Sequence, residues 1–590
     1  MLCSRTIGPD DMTRLKRFSA MALGIGLVCM LSPMPSTSQA QGTISVVFPT
    51  RLAAAPDYAT EVLGDPWDMC NLDDMSLRPD ERVGFSSFSF GTGQCIAGGT
   101  TMAVNGTNDS SLMMLSPGLY DVALNPGRNG RNFPIDPSKY QVLSFKLSLS
   151  ATEDPQIWWF HNPVNHPSGV GLGGRLVPRM SAGTQLVVAD LTQSLLSGSV
   201  PWTSGVVRAL RIDPNALNAV ENVFLYWVRL TPSASSPLAA KQTITWNGSG
   251  AATITVRDNG DGSVFPVVSN LSGNSYPWNY GVLAPGSYTL TVTNASGSGS
   301  TSFSINNPPR IDVTNPSVTS GDDYATTVLG NAWDMSNSND IQLTGLDHLT
   351  NVSFSSGLLH ATNTNSDPIV TLLYNTNNAV PIDTSRFRYL TFRMQLDGPY
   401  DLLAGSVARV IWGTQVSSAA AVSQDVIVVP GMNSYTIDLA TLSTAPDGGL
   451  EPGSGETWTA SSKRYLRLDP HEFPDARTFH IDDVKLTARP VATGSFNIRF
   501  VGTDADGDAA TVSLYYDADT NPGNGKSLIA SNIPVSAGQF VWNPAGVPLG
   551  EYYIYAEATD GIQVMGRYSN LPVRLVIAPP APTGLRFVPR

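Results

Sequence analysis

Short runs of alternating apolar and polar residues recur along most of the chain. Examples lie at 389–396 and 434–439, the short apolar run 426–429 is a further strand candidate, and clusters of Gly, Pro, Asn and Ser separate them. A period of two places alternate side chains on opposite faces of a pleated strand, whereas an amphipathic helix needs a period near 3.6 residues. After the N-terminal 40 residues, no stretch of ten or more has the helical period. The pattern therefore predicts an all-β protein of short strands.

The strand pattern is duplicated within the chain. The segment 57–69, DYATEVLGDPWDM, returns at 323–335 as DYATTVLGNAWDM, an offset of 266 residues. Further matched segments, at offsets between 247 and 264, are 134–146 with 381–393, 210–214 with 466–470, 252–256 with 510–514, and 278–288 with 542–552. Because the offset changes between matched blocks, the two copies share a framework and differ in loop length.

The duplication predicts two kinds of module in the order A-B-A′-B′. Module A is long enough for two facing antiparallel sheets, and module B fits a seven-strand immunoglobulin-like sandwich. The joints lie in turn-rich Pro and Ser segments. The expected bounds are 41–231 for A, 232–309 for B, 310–489 for A′, 490–577 for B′ and 578–590 for a Pro-rich tail.

Residues 1–40 have the pattern of an export signal. Three basic residues within 14–17 precede an apolar run at 20–31, and a small-x-small site at 38–40 predicts cleavage before Gln41. The run is too short to span a bilayer, and no later segment is apolar enough to do so. We expect an exported protein, either secreted or on the cell surface, with no membrane insertion after cleavage.

Charge and cysteine content narrow the class of protein. The 48 acidic residues exceed the 35 Lys and Arg by 13, and no basic stripe is present, which argues against a nucleic-acid partner. Signal cleavage leaves only Cys70 and Cys95. In an exported chain two cysteines predict a disulfide, and a metal site is less expected because no histidine lies nearby in sequence.

Particular segments of A′ and B′ resemble known module families. In A′ they are Trp333–Asp334, the mid-module strand at 389–393 and the closing strand at 479–486. With these features, the A modules resemble jelly-roll carbohydrate-binding modules of galactose-binding-like fold. The B modules resemble bacterial immunoglobulin-like or fibronectin type III-like modules through Trp542, 550–552 and 558–561. The resemblance implies four β-sandwich modules in tandem: jelly-roll, Ig-like, jelly-roll, Ig-like.

The resemblance also implies a structural calcium ion, held by carboxylates of the N-terminal segment and the last strand of the jelly roll. Carried over to A′, the ligands would be Asp334 with Asp482 or Asp483, although ordinary surface charges are the alternative. Copy A has Tyr226 and Trp227 in place of the last two, which puts a site there in doubt.

A second acidic cluster lies in B′. Asp517, Asp519 and Asn521 alternate along a turn-rich segment, so their oxygens can share one side, as calcium loops require. The EF-hand pattern fails because Pro522 and Leu528 occupy its sixth and twelfth positions. A turn with solvated carboxylates is the alternative.

The densest aromatic group in the chain is Trp158–His161. In a strand, Trp158 and Phe160 share one face while Trp159 and His161 share the other. One pair is expected in the core, and the other is a candidate platform for stacking on a sugar ring; Trp412 is the matching aromatic of A′. We therefore take Trp158, Trp159, His161 and Trp412 as candidate ligand-binding residues.

Catalytic motifs are missing from the sequence. It contains no Gly-x-Ser-x-Gly elbow, no His-Glu-x-x-His pair and no phosphate-binding glycine loop. We expect a non-catalytic binder of polysaccharide or glycan that acts through its jelly-roll modules. The alternatives are a structural or adhesive scaffold that contacts other surface proteins and, third, a glycan-active hydrolase or lyase.

Overall fold

A computed structural model describes the chain between residues 44 and 577. Within that range it leaves out 71–73, 76–83, 91–94, 103–112, 116–134, 162–172, 194, 206, 208, 219, 375–379, 399–406, 415–419, 424–425, 429–430, 441–454 and 474. The expected export signal and Pro-rich tail lie outside the described residues. Among the described residues, no helix is long and apolar enough to cross a membrane.

The described residues confirm the all-β prediction. The strands are β1 (Val46–Val47), β2 (Arg51–Leu52), β3 (Phe85–Phe90), β4 (Ala97–Thr101), β5 (Met113–Leu115), β6 (Val142–Leu149), β7 (Gln156–Phe160), β8 (Gly173–Leu176), β9 (Gly183–Asp190), β10 (Ala209–Asp213), β11 (Asn222–Thr231), β12 (Lys241–Trp246), β13 (Ala252–Asp258), β14 (Val264–Leu271), β15 (Ser275–Asn279), β16 (Gly286–Asn294), β17 (Gly297–Ile305), β18 (Arg310–Asn315), β19 (Leu349–Ser355), β20 (Leu358–Asn363), β21 (Val370–Tyr374), β22 (Phe387–Leu396), β23 (Val407–Gly413), β24 (Ala421–Val422), β25 (Val426–Ile427), β26 (Asn433–Asp438), β27 (Tyr465–Asp469), β28 (Thr478–Ala488), β29 (Val491–Ala492), β30 (Phe496–Thr503), β31 (Thr511–Asp517), β32 (Ser527–Pro534), β33 (Gln539–Trp542), β34 (Gly550–Thr559), β35 (Val564–Tyr568) and β36 (Val573–Leu575). Single helical turns lie at Ala59–Leu63, Tyr280–Val282, Ala325–Leu329, Ser338–Asp340, Leu343–Gly345, Trp458–Ala460 and Val535–Ala537.

The two A modules have the same sheet topology. In A, a five-stranded sheet of order β3-β4-β11-β6-β9 shares one core with a four-stranded sheet of order β5-β10-β7-β8. In A′ the corresponding orders are β19-β20-β28-β22-β26 and β21-β27-β23-β24, with β25 also paired to β23. Strand pairs within these sheets are antiparallel. Each A module is therefore a two-layer sandwich, as the duplication predicts.

The B modules are smaller sandwiches. Module B consists of β1-β12-β15 and β14-β13-β16-β17-β2, and B′ consists of β18-β30-β33 and β29-β36-β34-β31-β32 with β35 on β34. Each has its own hydrophobic core, separate from the core of the A module beside it.

The first strands of B and B′ precede the A modules in the sequence, so the expected bounds at 41 and 310 are wrong. Val46 of β1 lies opposite Trp246 of β12, and Val313 of β18 lies opposite Phe500 of β30. Segments 44–54 and 310–315 therefore belong to B and B′. The physical reason is that their apolar side chains complete the B cores. Module A follows the first two strands of B in the chain, and A′ follows the first strand of B′.

A buried lysine joins A to B. Lys146, on β6, has a side chain only 5% exposed, and its Nζ lies 2.8 Å from an Asp258 carboxylate oxygen and 2.7 Å from one of Asp261. Burial lowers the pKa of Lys146, but the hydrogen bonds to the two aspartates raise that pKa by more than burial lowers it, so the net shift is upward. The ammonium group therefore stays charged at neutral pH, and it ties the five-stranded sheet of A to the β13–β14 loop of B.

Polar contacts also join B to B′. The amide of Gln563 accepts a hydrogen bond from the Ala54 backbone N (3.0 Å) and donates one to the Ala54 carbonyl oxygen (3.2 Å). Asn306 Nδ2 donates to Asp560 at 2.7 Å, and the Asn307 backbone N donates to Asp506 at 2.8 Å. Because these bonds use backbone groups and fixed turns, they set the position of B on B′.

Candidate functional site

A cleft of about 1100 Å³ lies where A, A′ and B′ meet. Module A contributes Glu61–Asp65, and β18 with the segment after it contributes residues between 310 and 319. The outer face of the five-stranded sheet of A′ supplies the hydroxyl groups of Thr391, Ser434 and Thr436. Module B′ adds Val501, Thr503, Tyr555, Arg567, Tyr568 and neighbouring residues. The lining thus mixes apolar, hydroxyl-bearing, aromatic and charged side chains.

The A wall of the cleft is a helical turn that is anchored at both ends. Asp57 accepts hydrogen bonds from the backbone N of Thr60 (3.1 Å) and of Leu230 on β11 (2.9 Å), which fixes the turn to the sheet. Gly64 ends the turn with φ +78°, a left-handed conformation that suits glycine. Glu61 then reaches Lys139 Nζ at 2.7 Å. This wall is therefore held in place by module A itself.

The lining carboxylates are paired with cations. Glu61 pairs with Lys139, Asp65 lies 2.8 Å from Arg310 Nη1, and Asp312 lies 3.2 Å from Arg567 Nη1. A general acid and a general base need opposed carboxyl groups with different protonation states. Three carboxylates that are each neutralised by a cation do not form that arrangement, and the lining is close to charge-balanced.

Two tyrosines form the B′ wall. The ring centroids of Tyr555 and Tyr568 are 4.6 Å apart, and the Tyr568 hydroxyl donates to Asp517 at 2.6 Å. Burial raises the pKa of Tyr555 to about 12, so its hydroxyl stays neutral. Burial, together with the bond to Asp517, also raises the pKa of Tyr568. On the A′ wall the hydroxyls of Thr391 and Thr436 are 2.8 Å apart.

Trp158 lies on the outer face of the four-stranded sheet of A, and it is half-buried. Phe160 and Ala209 pack beside it. The Arg211 guanidinium lies 5.6 Å from the Trp158 ring centroid and pairs with Asp213 at 2.8 Å, with both charged side chains buried. This face therefore holds a buried ion pair against the ring, which leaves Trp158 only partly available for stacking.

The prediction that Trp159 and Trp412 are exposed platforms for a sugar ring is wrong. Both are fully buried, and each packs edge to face on a second buried tryptophan: Trp159 on Trp202 at 5.5 Å, and Trp412 on Trp458 at 5.8 Å. Each indole N–H donates to a backbone carbonyl at 3.1 Å. They are repeated core residues because the inner face of β7 and of β23 forms the centre of the sandwich.

His161 lies at the end of β7, where Nε2 is 3.0 Å from the Pro201 carbonyl oxygen. It is half-buried beside the Trp202 loop. As a ligand-binding residue it stays a prediction.

Each A′ calcium candidate has a hydrogen-bond or ion-pair partner within module A′. The Asp334 side chain accepts from the backbone N of Ser336 at 3.1 Å, Asp482 pairs with Arg393, and Asp483 pairs with Lys485 at 2.5 Å. Among the described residues, the sets of three carboxylates whose oxygens lie within 4.8 Å of one another are Asp367 with Asp469 and Glu472, and Asp504 with Asp508 and Asp560. None of the A′ candidates belongs to either set, and calcium held by Asp334 with Asp482 or Asp483 stays a prediction.

The B′ calcium candidates form consecutive turns. Asp517 accepts from the backbone N of Asp519 (3.4 Å), Asp519 from that of Asn521 (2.8 Å), and Asn521 from that of Gly523 (3.1 Å). Side chains that bond the backbone two residues on are what Asx turns require without an ion. Calcium at this loop therefore stays a prediction, and the turn accounts for the acidic spacing.

Cys70 and Cys95 form a disulfide in the structure. It joins the segment after the helical turn of A to the start of β4, near the edge of the five-stranded sheet.

Glu221 is a buried carboxyl group at the start of β11. It is 4% exposed, Oε2 accepts from the Ala151 backbone N at 3.2 Å, and Oε1 has no hydrogen-bond partner among the described residues. Burial, and secondarily the negative charge of Glu153, raises its pKa to about 7. Its charge therefore changes near neutral pH.

Sequence reasoning missed the cleft because its walls come from segments far apart in the chain. Glu61, Arg310, Thr391 and Tyr555 belong to three modules. The duplication offered one signal, since the DYAT motif that forms the A wall is repeated in A′. No pattern in the sequence says which copy faces another module.

No known protein family and no curated protein matches the sequence. Solved structures with similar regions include SGBP-B from a complex xyloglucan utilization locus in Bacteroides uniformis (12% identity, 61% of this chain and 99% of that one, TM-score 0.17). Another is the N-terminal CBM22-1-CBM22-2 tandem domain of Paenibacillus barcinonensis Xyn10C (8% identity, 75% of this chain and 100% of that one, TM-score 0.17). A third is the glycoside hydrolase domain of Endo-D from Streptococcus pneumoniae R6 (9% identity, 35% of this chain, TM-score 0.15), of which this chain spans 33%. These values assign the chain to no family.

Proposed function

We propose that this chain is an exported, non-catalytic multimodular protein that binds a neutral polysaccharide, and that the cleft between A, A′ and B′ is its binding site. The observation that carries the proposal is the composition of the cleft lining. A sugar ring offers apolar C–H faces and a rim of hydroxyl groups, which match aromatic rings next to hydroxyl and charged side chains.

The size and charge of the cleft support the same ligand class. Its volume of about 1100 Å³ is slightly above the range of roughly 300–1,000 Å³ for ligand pockets, so several linked sugar units fit. Each lining carboxylate is paired with a cation, so the cleft favours a neutral polymer. The same pairing argues against the hydrolase or lyase alternative.

A cleft-filling substitution tests the proposal directly. Ser434 is an exposed lining residue on β26, and Ser434→Trp fills the cleft without removing a core contact. Ser353→Trp is the matched control, because Ser353 is exposed on β19 of the same sheet but does not line the cleft. The purified full chain and both variants are assayed for retention on a panel of soluble and insoluble polysaccharides, with calcium and with chelator.

We expect retention on at least one polysaccharide, at least tenfold weaker for Ser434→Trp and unchanged for Ser353→Trp. Retention that Ser434→Trp leaves intact would place the ligand elsewhere, and Trp158→Ala then tests the outer face of the small sheet of A. A chain that binds no glycan would contradict the proposed function. Loss of retention in chelator would support the calcium prediction.

A structural scaffold is the second candidate, and the contacts between modules favour it. Lys146 holds A against B, and the Gln563 side-chain amide holds B′ against B through two hydrogen bonds to the Ala54 backbone. Fixed junctions of this kind suit a stiff spacer or adhesive element. Solution scattering distinguishes the candidates only in combination with the glycan panel: a rigid particle that binds no glycan supports the scaffold.

A further inference from the structure

Two histidines face each other on the outer surface of the five-stranded sheet of A′. His360 on β20 lies directly opposite His480 on β28, and their ring centroids are 4.7 Å apart. The residues that flank them, Leu359 and Ile481, point into the core, so both imidazoles point outward and are half-buried. Their Nδ1 atoms are 2.6 Å apart.

The other nitrogen of each ring contacts an acceptor. His480 Nε2 donates to an Asp397 carboxylate oxygen at 3.0 Å, and that bond helps keep the Asp397 pKa low although burial raises it. His360 Nε2 lies 3.2 Å from the Ser355 carbonyl oxygen, which can only accept, and 2.9 Å from the Ser355 hydroxyl. In the tautomer with both Nε2 atoms protonated, the two Nδ1 lone pairs face one another, and a metal ion between them can accept both.

We infer that His360 and His480 form a binding site for one divalent transition-metal ion that prefers imidazole ligands, namely Cu²⁺, Ni²⁺ or Zn²⁺. Without metal, a neutral pair holds one proton between the Nδ1 atoms, and the Ser355 hydroxyl then donates to His360 Nε2. When a metal binds, that proton moves to His360 Nε2, which donates to the Ser355 carbonyl. If the pair carries an extra proton, one proton is released for each ion bound.

The surroundings match those of a metal-bound histidine. A ligating imidazole usually donates its remaining N–H to a carboxylate or a backbone carbonyl, and Asp397 and Ser355 supply these two acceptors. Tetrahedral coordination at the usual metal–nitrogen distance needs the nitrogens about 3.3 Å apart, so half-exposed rings must separate by roughly 0.7 Å. Solvent can fill the remaining coordination positions. Two protein ligands predict moderate affinity, strongest for Cu²⁺ in the usual order of divalent ions.

Nearby charges leave the site accessible to a cation. Asp397 faces the pair from the end of β22, and the Arg477 guanidinium donates to the Asp397 carbonyl oxygen. Asp482, two residues beyond His480 on β28, is neutralised by Arg393 of β22. The two aspartates and two arginines balance in number, and the charged group in direct contact with a ring is the Asp397 carboxylate.

Module A lacks the pair. In its corresponding sheet, Phe224 of β11 lies opposite Gly98 of β4, in the register that His480 and His360 occupy in A′. The site is thus a property of A′, independent of the proposed glycan binding.

Calorimetric titration of the full chain with CuCl₂, NiCl₂ and ZnCl₂ at pH 7.5 tests the inference. The variants are His360→Gln, His480→Gln, their double mutant and Asp397→Asn; the control is His348→Gln, a histidine of the same module outside the pair. We expect one ion per chain, roughly tenfold or greater weakening in either single variant, little further loss in the double mutant, and about tenfold weakening in Asp397→Asn. Affinity should fall at pH 5.5 because protons compete for the same nitrogens.

Electron paramagnetic resonance of the Cu²⁺-loaded wild-type chain gives a readout that needs no variant. Two coupled nitrogens in the wild type and none in the double mutant would support the site. The inference is overturned if the wild type shows fewer than two nitrogens, if the single variants bind as the wild type does, or if His348→Gln weakens binding equally.

Discussion

Replacing Trp159 by Ala should unfold module A at lower temperature and leave glycan retention by the folded protein unchanged. Trp159 is fully buried against Trp202, and its indole N–H donates to the Val200 carbonyl at 3.1 Å. Trp412 has the same environment in A′, where it packs on Trp458. The two substitutions therefore form a matched pair, each confined to one module.

The expected cost follows from burial and from the lost hydrogen bond. Truncation of a buried Trp to Ala costs about 3–5 kcal/mol, and leaving the Val200 carbonyl without its donor adds about 1 kcal/mol. We expect about 4–6 kcal/mol for Trp159→Ala and the same for Trp412→Ala. Trp158→Ala should cost about 1–2 kcal/mol, because that ring is half-exposed and is backed by Arg211.

Scanning calorimetry of the full chain measures each module, because a multimodular protein does not unfold in one step. For a module of this size, 4 kcal/mol corresponds to a fall of about 8–16 °C in the midpoint of its transition. Trp159→Ala should move the A transition alone, and Trp412→Ala the A′ transition alone. The reasoning is refuted if Trp159→Ala leaves both midpoints within about 2 °C while abolishing polysaccharide retention, since the ring would then contact ligand.

Three further substitutions test other features. Lys146→Met strands two carboxylates of module B, and we expect about 2–3 kcal/mol of destabilisation by calorimetry; since the Lys146 pKa is raised, this contribution persists up to alkaline pH and is then lost. Glu221→Gln should stabilise the chain by about 2 kcal/mol at pH 8 but not at pH 4. The reason is that the Glu221 pKa is about 7 in the folded chain and lower in the unfolded chain, so the folded state loses stability as the pH rises between these two pKa values. Urea unfolding midpoints at pH 4 and pH 8 test this. Gln563→Ala removes both bonds to Ala54, and hydrogen exchange at the Ala54 amide should accelerate about tenfold; unchanged exchange would contradict a fixed B–B′ junction.

Strand content, the duplication and much of the core followed from the sequence, because burial imposes a period of two wherever one face of a sheet meets a core. Leu390 and Phe392 alternate with Thr391 and Arg393, and the structure places the first two inside A′. The module bounds did not follow. A tandem repeat shows the length of its unit but not which strands pair, so the first strand of B could be assigned to A as readily as to B.

The functional faces were ambiguous for a related reason. Alternation places Trp158 and Trp159 on opposite faces, but both faces of β7 are covered, so hydrophobicity could not say which ring is central. The cleft was beyond local pattern altogether, because its walls meet only after the modules dock. The spacing of Asp517 and Asp519 predicted a turn-rich segment there. A calcium ion and turn hydrogen bonds both require this spacing, so the sequence could not distinguish them.

Comparison of the two copies separates what the fold requires from what function can change. The buried Trp pair recurs in A and A′ with nearly the same ring distance, so it serves the sandwich itself. On the outer face of the five-stranded sheet the copies diverge: a Phe–Gly pair in A corresponds to the two histidines of A′ in the same register. Outer-face side chains can change without disturbing the core, so the two copies can differ there at little cost in stability. The duplication therefore supplies one scaffold twice, and the proposed metal site of A′ is a difference that lies on its outer face, outside the shared core.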